Sequence, residues 1–250
     1  MFVLSAMLLI ACSDPPSPDL PVSTKRIRSA EEIIQQSVEY HGGIAYDTAE
    51  IQFSFRGKQY AGSWNHGMYR FSRSFSENRH HITDLLTNET FTRLINGQVT
   101  AVPDSMERKY SASVNSVWYF AYLPFRLLDP AVQARTLGQS NMHGASYHKV
   151  EVTFSEKGGG EDFEDVYVYW FDQSDYSLDY LAYSFAEDDG IGLRFRKACD
   201  SQRVSGILFQ DYVNYRADPT EWEVADLDSA YRIGALDTLS VILMEDIRSF

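Results

Sequence analysis

From Ile51 onward the chain is dominated by apolar and polar residues in alternation, the period-2 pattern of strands with one buried face. Ile51-Gln52-Phe53-Ser54-Phe55-Arg56 is the plainest case, and 58–64, 67–75, 79–86 and 90–96 follow at short intervals. Asn96-Gly97 ends this series with a hairpin-turn signal. Strands so closely spaced predict an antiparallel meander. A second series covers 146–155, 163–172, 178–186, 191–199 and 204–215, with a closing strand expected over 238–248.

Helical spacing frames and interrupts the strands. Ser29-Ala30-Glu31-Glu32 has the form of a capping box, Ile33, Ile34, Val38 and His41 follow near helical spacing, and Gly42-Gly43 supplies a stop. Tyr110, Val114, Val117, Trp118 and Ala121 recur at i, i+4, i+7, i+8 and i+11, with Asp104 and Glu107 offering a cap. Pro124 and Asp129-Pro130 break this helix, and a short one is expected near 130–136. Residues 226–234 are weakly helical in pattern.

Several late strands are apolar on both faces. Phe163, Tyr167, Tyr169 and Phe171 share one face while Val166, Val168 and Trp170 share the other. Something must cover that sheet on each side, or one face lines an apolar cavity. The expected fold is mainly β (α+β), a curved antiparallel sheet or unclosed β-barrel with a helical lid. Residues 29–250 are long enough to bury a substantial core as a single domain.

Composition narrows the function classes. Aromatic residues make up 14% of the chain, which favours strands and excludes a low-complexity protein. Against 22 basic residues stand 35 acidic ones, a net charge of −13. That balance disfavours nucleic acid as a partner.

The N-terminus carries a resemblance. An apolar run ends in Leu9-Ile10-Ala11-Cys12-Ser13, which resembles the lipobox of bacterial lipoproteins. The run is short for a spanning helix of about 20 residues and fits a signal h-region. The resemblance implies that residues 1–11 are a signal peptide and that Cys12 is acylated, attaching the protein to the membrane. Pro15, Pro16, Pro18 and Pro21 make residues 13–28 an extended linker, with a reach of up to ~50 Å.

A second resemblance covers residues 29–250. The run Ser29–Gly43, followed by strands, a helical insert and more strands, resembles Lol-type lipoprotein carrier domains. Those have an unclosed barrel whose apolar concave face is capped by helices and holds acyl chains. His41-Gly42-Gly43, Ser113-Val114-Asn115-Ser116-Val117, Leu128-Asp129-Pro130-Ala131-Val132, Gly158-Gly159-Gly160-Glu161-Asp162-Phe163 and Leu178-Asp179-Tyr180-Leu181-Ala182-Tyr183 are similar to an uncharacterised family of bacteroidete envelope lipoproteins. Together these imply a lipid-anchored protein of the cell envelope, at the outer membrane, on either its periplasmic or its surface face.

Catalytic chemistry has no comparable signature. The six histidines show no metal-ligand spacing, and His80-His81 would point to opposite faces of a strand, so no metal is expected. Gly158–Asp162 reads as a hairpin tip. Lys149 lies among strand residues, and His41 should sit at a helix C-terminus favoured by the macrodipole. Cys199 should be a packed, inert thiol, which leaves no intrachain disulfide partner for an acylated Cys12. No nucleophile elbow appears, and no cofactor is implied.

The aromatic set is the strongest remaining signal. Phe53, Phe55, Tyr69, Phe71, Trp118, Phe120, Tyr169, Tyr183 and Phe195 are candidates to line an acyl-binding cavity, or to fill an ordinary aromatic core. The expected function is a non-catalytic envelope lipoprotein that binds a hydrophobic ligand or lipid in a half-barrel cavity. An envelope hydrolase with an unassigned site, and a structural lipoprotein with protein partners, are the alternatives.

Overall fold

The computed structural model describes residues 28–156, 165–187 and 190–250. Helix α1 (Ala30–His41) opens on a complete capping box. The Glu32 N–H donates to Ser29 Oγ at 3.2 Å, and the Ser29 N–H donates back to the Glu32 carboxylate at 3.1 Å. A 3-10 turn at Gly43–Thr48 leads into the meander β1 (Glu50–Phe55), β2 (Lys58–Asn65), β3 (Met68–Glu77), β4 (His80–Thr87), β5 (Phe91–Ile95) and β6 (Gln98–Thr100). The β5–β6 turn is Asn96-Gly97, both at positive φ, as a tight hairpin of that composition demands.

Helix α2 (Asp104–Ala121) crosses to the second half, and a 3-10 turn follows at Phe125–Leu128. Asp104 is its first helical residue and not its cap; Pro103 holds that place, its carbonyl accepting from the N–H groups of Met106 and Glu107. The Asp104 and Glu107 carboxylates lie in the first turn, where the helix dipole favours them. The short helix expected near 130–136 is absent. There the chain is already β7 (Val132–Met142), because its backbone pairs with β8 (Ala145–Phe154) and Arg135 grips Glu151 across the ladder. Pairing overrides the weak local preference.

The second sheet continues through β9 (Tyr167–Asp172), β10 (Leu178–Glu187), β11 (Gly190–Val204) and β12 (Ile207–Ala217). Helix α3 (Leu227–Arg232) lies inside the weakly helical stretch, followed by β13 (Asp237–Ile242) and β14 (Glu245–Ser249). The single closing strand expected over 238–248 is therefore two. β13 borders the second sheet on β12, and β14 borders the first sheet on β1. The crossing is pinned where the Met244 N–H donates to the Asp211 carboxylate at 2.8 Å.

The result is two seven-stranded antiparallel sheets, in the orders β14-β1-β2-β3-β4-β5-β6 and β13-β12-β11-β10-β9-β8-β7, not closed into a barrel. The helices explain the doubly apolar strands. On β9, Tyr169 and Phe171 pack beneath Ile33, Ile34 and Val38 of α1, while Val168 and Trp170 on the opposite face pack with Leu227 and Ala230 of α3. Helix α2 sits between the sheets: Val114, Trp118 and Ala121 enter the core of the first, Tyr119 that of the second. Gly62 on β2 allows this approach, since a Cβ there would lie 2.6 Å from the Trp118 ring.

Candidate functional site

A cavity of about 500 Å³ lies between the two sheets, beside α2. That volume is in the range of small-molecule sites, about 300–1,000 Å³. It opens where the cover of the second sheet changes. Toward one end of β9 and β10, Phe171, Leu178 and Leu181 are sealed beneath α1. Toward the other end, Tyr167 and its cross-strand partner Tyr183 face the cavity, stacked with centroids 5.4 Å apart. Phe120 of α2 approaches Tyr183 at 5.5 Å, and Val117 one turn earlier forms part of the same wall. Phe55 and Tyr60 from the β1–β2 hairpin face them, and Tyr212, Ile242 and Met244 close the side where the sheets part.

The lining is apolar in its walls but cationic in its charge among the described residues. Arg56, Lys58, Arg73 and Arg196 border it, with Asp165 the one acidic residue among those described. Arg196 lies flat over Phe120, its guanidinium carbon 3.9 Å from the ring centroid, and donates through Nη2 to the Tyr183 hydroxyl at 2.8 Å. Its Nε is buried and has no hydrogen-bond partner among the described residues. Lys58 Nζ sits 4.4 Å above Phe75. Burial, reinforced by neighbouring Arg73, lowers the Lys58 pKa from its ordinary value. Burial likewise raises that of Tyr60, with Arg73 opposing.

Arg73 belongs to a buried ladder of charge. The register sets Arg73 of β3 opposite Asp84 of β4, and Asp84 opposite Arg93 of β5. Arg73 and Arg93 each approach the Asp84 carboxylate to 2.6 Å, and Asp84 is fully buried. Two cations thus share one carboxylate. The group also seats α2: Arg73 Nη1 donates to Ser113 Oγ at 2.7 Å, and Arg93 stacks on Tyr110, 3.4 Å from its ring centroid.

The nine aromatic candidates fall in different places. Phe55, Phe120 and Tyr183 line the cavity. Phe53, Phe71 and Trp118 are packed inside the first sheet's core, Phe71 and Trp118 stacked at 4.6 Å, with half-buried Tyr69 against them. Tyr169 lies under the helices, its hydroxyl 2.8 Å from that of Tyr119, and Phe195 is on the opposite face of its sheet, under α3. Sequence reasoning passed over the four cations. Only Arg73 had a signal, a charge on an otherwise apolar face in Phe71-Ser72-Arg73-Ser74-Phe75. Cys12 and the string Gly158–Phe163 lie outside the described residues.

Other singled-out residues have structural roles. His41 ends α1, but fully buried and not as a dipole-stabilised cation. Burial drives its pKa down to about 4, and its Nε2 accepts the Leu178 N–H at 3.1 Å. Cys199 is exposed and not packed, because the register of β11 with β12 shifts between Ala198 and Asp200 and turns it outward. Lys149 Nζ pairs with Asp228 at 3.3 Å, tying α3 to its sheet. His80 and His81 are both exposed on β4, and no group of three or more His, Cys, Asp or Glu among the described residues could hold a metal ion. No helix among them is long and apolar enough to cross a membrane.

Residues 22–244 match the model of a family of unknown function, DUF6503, and the chain belongs to that family. No curated protein matches it. Among solved structures it is similar to a LolA superfamily protein from Nitrosomonas europaea, at 11% identity and a TM-score of 0.45, covering 90% of this chain and 94% of that one. It is also similar to a putative outer membrane lipoprotein-sorting protein domain from Vibrio parahaemolyticus, at 11% identity and a TM-score of 0.40, covering 81% and 98%. A DUF1329 family protein from Desulfovibrio piger gives 11% identity and a TM-score of 0.40, covering 88% and 92%.

Proposed function

We propose that this member of the family is a non-catalytic envelope lipoprotein that holds a hydrophobic ligand or lipid between its two sheets. Residues 1–11 act as the export signal, acylated Cys12 as the membrane anchor, and residues 13–28 as the linker to a single domain over 29–250. Several acyl chains make a stable anchor, each buried methylene contributing about 0.8 kcal/mol. The observation that carries the binding reading is the cavity of about 500 Å³ walled by Phe55, Phe120, Tyr167 and Tyr183. The half-buried rings of Phe55, Phe120 and Tyr183 offer a ligand apolar surface at about 25 cal/mol per Å² covered.

Two experiments test the two parts. Native mass spectrometry of the full chain purified from membranes should show one amphiphile bound per molecule; a chain that carries none and takes up none contradicts the binding reading. Cys12→Ser should leave the protein unprocessed or out of the detergent phase. If wild type and variant both stay aqueous and both retain Met1–Ala11, the anchor reading fails.

A further inference from the structure

We infer that the ligand carries an anionic headgroup, a carboxylate or a phosphate, seated against Arg196 and Lys58 while its alkyl part lies along the aromatic walls. This rests on the binding reading above and names the class of amphiphile. The chain as a whole carries −13, yet the cavity has Arg56, Lys58, Arg73 and Arg196 against Asp165. A cationic lining in an acidic protein needs its own cause.

Among the described residues, the lining's cations are poorly neutralised from within. Arg73 and Arg93 share Asp84, so that ladder retains one positive charge under α2. Arg196 and Lys58 have no carboxylate within 4 Å among the described residues; their contacts are with rings and a tyrosine hydroxyl. Arg196 borders the cavity, and its buried Nε has no hydrogen-bond partner among the described residues. An anion seated against the guanidinium supplies the charge that the lining lacks. A guanidinium already fixed over Phe120 and Tyr183 presents its donors with little further ordering.

The test titrates the full chain, produced without export, with three probes of one chain length: dodecanoate, dodecyl phosphate and dodecanol, each below its aggregation limit. At least one anionic probe should bind roughly tenfold tighter than the alcohol at low salt, an advantage that shrinks as salt screens it. Whichever anion binds tighter identifies the headgroup. Arg196→Gln and, separately, the more peripheral Lys58→Gln should shrink the ratio of anion affinity to dodecanol affinity, each measured in the same variant. Equal binding of all three probes, insensitive to both variants, overturns the headgroup inference and leaves the cavity reading standing. Failure of all three to bind the native chain overturns both.

Discussion

The inner face of the second sheet has two ends that differ in what covers them. At one, Tyr169, Phe171, Leu178 and Leu181 lie under Ile33, Ile34 and Val38 of α1, and every one of these side chains is buried. At the other, Tyr167 and Tyr183 continue the same aromatic face, with Phe120 packed on Tyr183, while Phe55 and Tyr60 of the β1–β2 hairpin stand opposite across the cavity. The strands use the same alternation throughout. Whether a ring becomes core or cavity wall follows from the helical residues packed over it, α1 over Phe171 and Leu178 and Tyr119 of α2 over Tyr169, not from the strand that carries it. Charge differs too, since Arg56, Lys58, Arg73 and Arg196 border the open end.

The largest effect should come from Asp84. Removing its carboxylate by Asp84→Ala leaves Arg73 and Arg93 buried side by side, and breaking a buried pair costs about 3–5 kcal/mol. Urea unfolding monitored by tryptophan fluorescence measures this; a loss within experimental error would mean that the ladder does not hold α2 in place.

At the closed end, Ile34→Ala should cost about 2–5 kcal/mol through the cavity it creates, with probe affinity unchanged. A parallel loss of affinity would show that the two ends are one unit. His41 makes that end sensitive to pH. Its folded pKa, about 4, lies below the ordinary 6.5, so the fold accepts only the neutral ring. The contribution is intact above pH 6.5 and is lost as pH falls toward 4, because the unfolded chain takes up the proton first. The loss over that window is on the order of 3 kcal/mol. Unfolding midpoints recorded across it should flatten in His41→Gln, which keeps an acceptor for the Leu178 N–H.

The sequence pattern contained most of this fold, and particular residues show where it stopped. Strict alternation placed β1, closely spaced strand patterns placed β2 through β5, and Ser29 with Glu32 marked the start of α1 to the residue. The pattern did not reveal β7, whose residues gain their state only by pairing with β8. Nor did it show that the C-terminal strand changes sheets at Met244. For the site, the aromatic set was visible but undivided. Phe71 and Phe55 look alike in an alternating strand, and only the position of Trp118 over Gly62 decides that Phe71 is core. The ladder of Arg73, Asp84 and Arg93 was written on the apolar faces of three strands, each a charge flanked two residues away by apolar side chains. Recognising it required the register.

A smaller effect sharpens the contrast. Phe185→Ala, at a half-buried ring of the open end, should cost less stability than Ile34→Ala, about 1 kcal/mol or less, and yet weaken probe binding severalfold. Equal stability losses at Phe185 and Ile34 would erase the distinction between wall and core.

Whether the space between the sheets is a binding site is tested most directly by filling it. Val117→Trp places an indole ring into the cavity from α2. Calorimetric titration of dodecanol at two temperatures should give one-to-one binding to the native chain with a negative heat-capacity change, the mark of apolar burial. The same titration of Val117→Trp should give no saturable heat while the variant remains folded. Undiminished binding in the filled variant would contradict the account, because the ligand would then be held somewhere else.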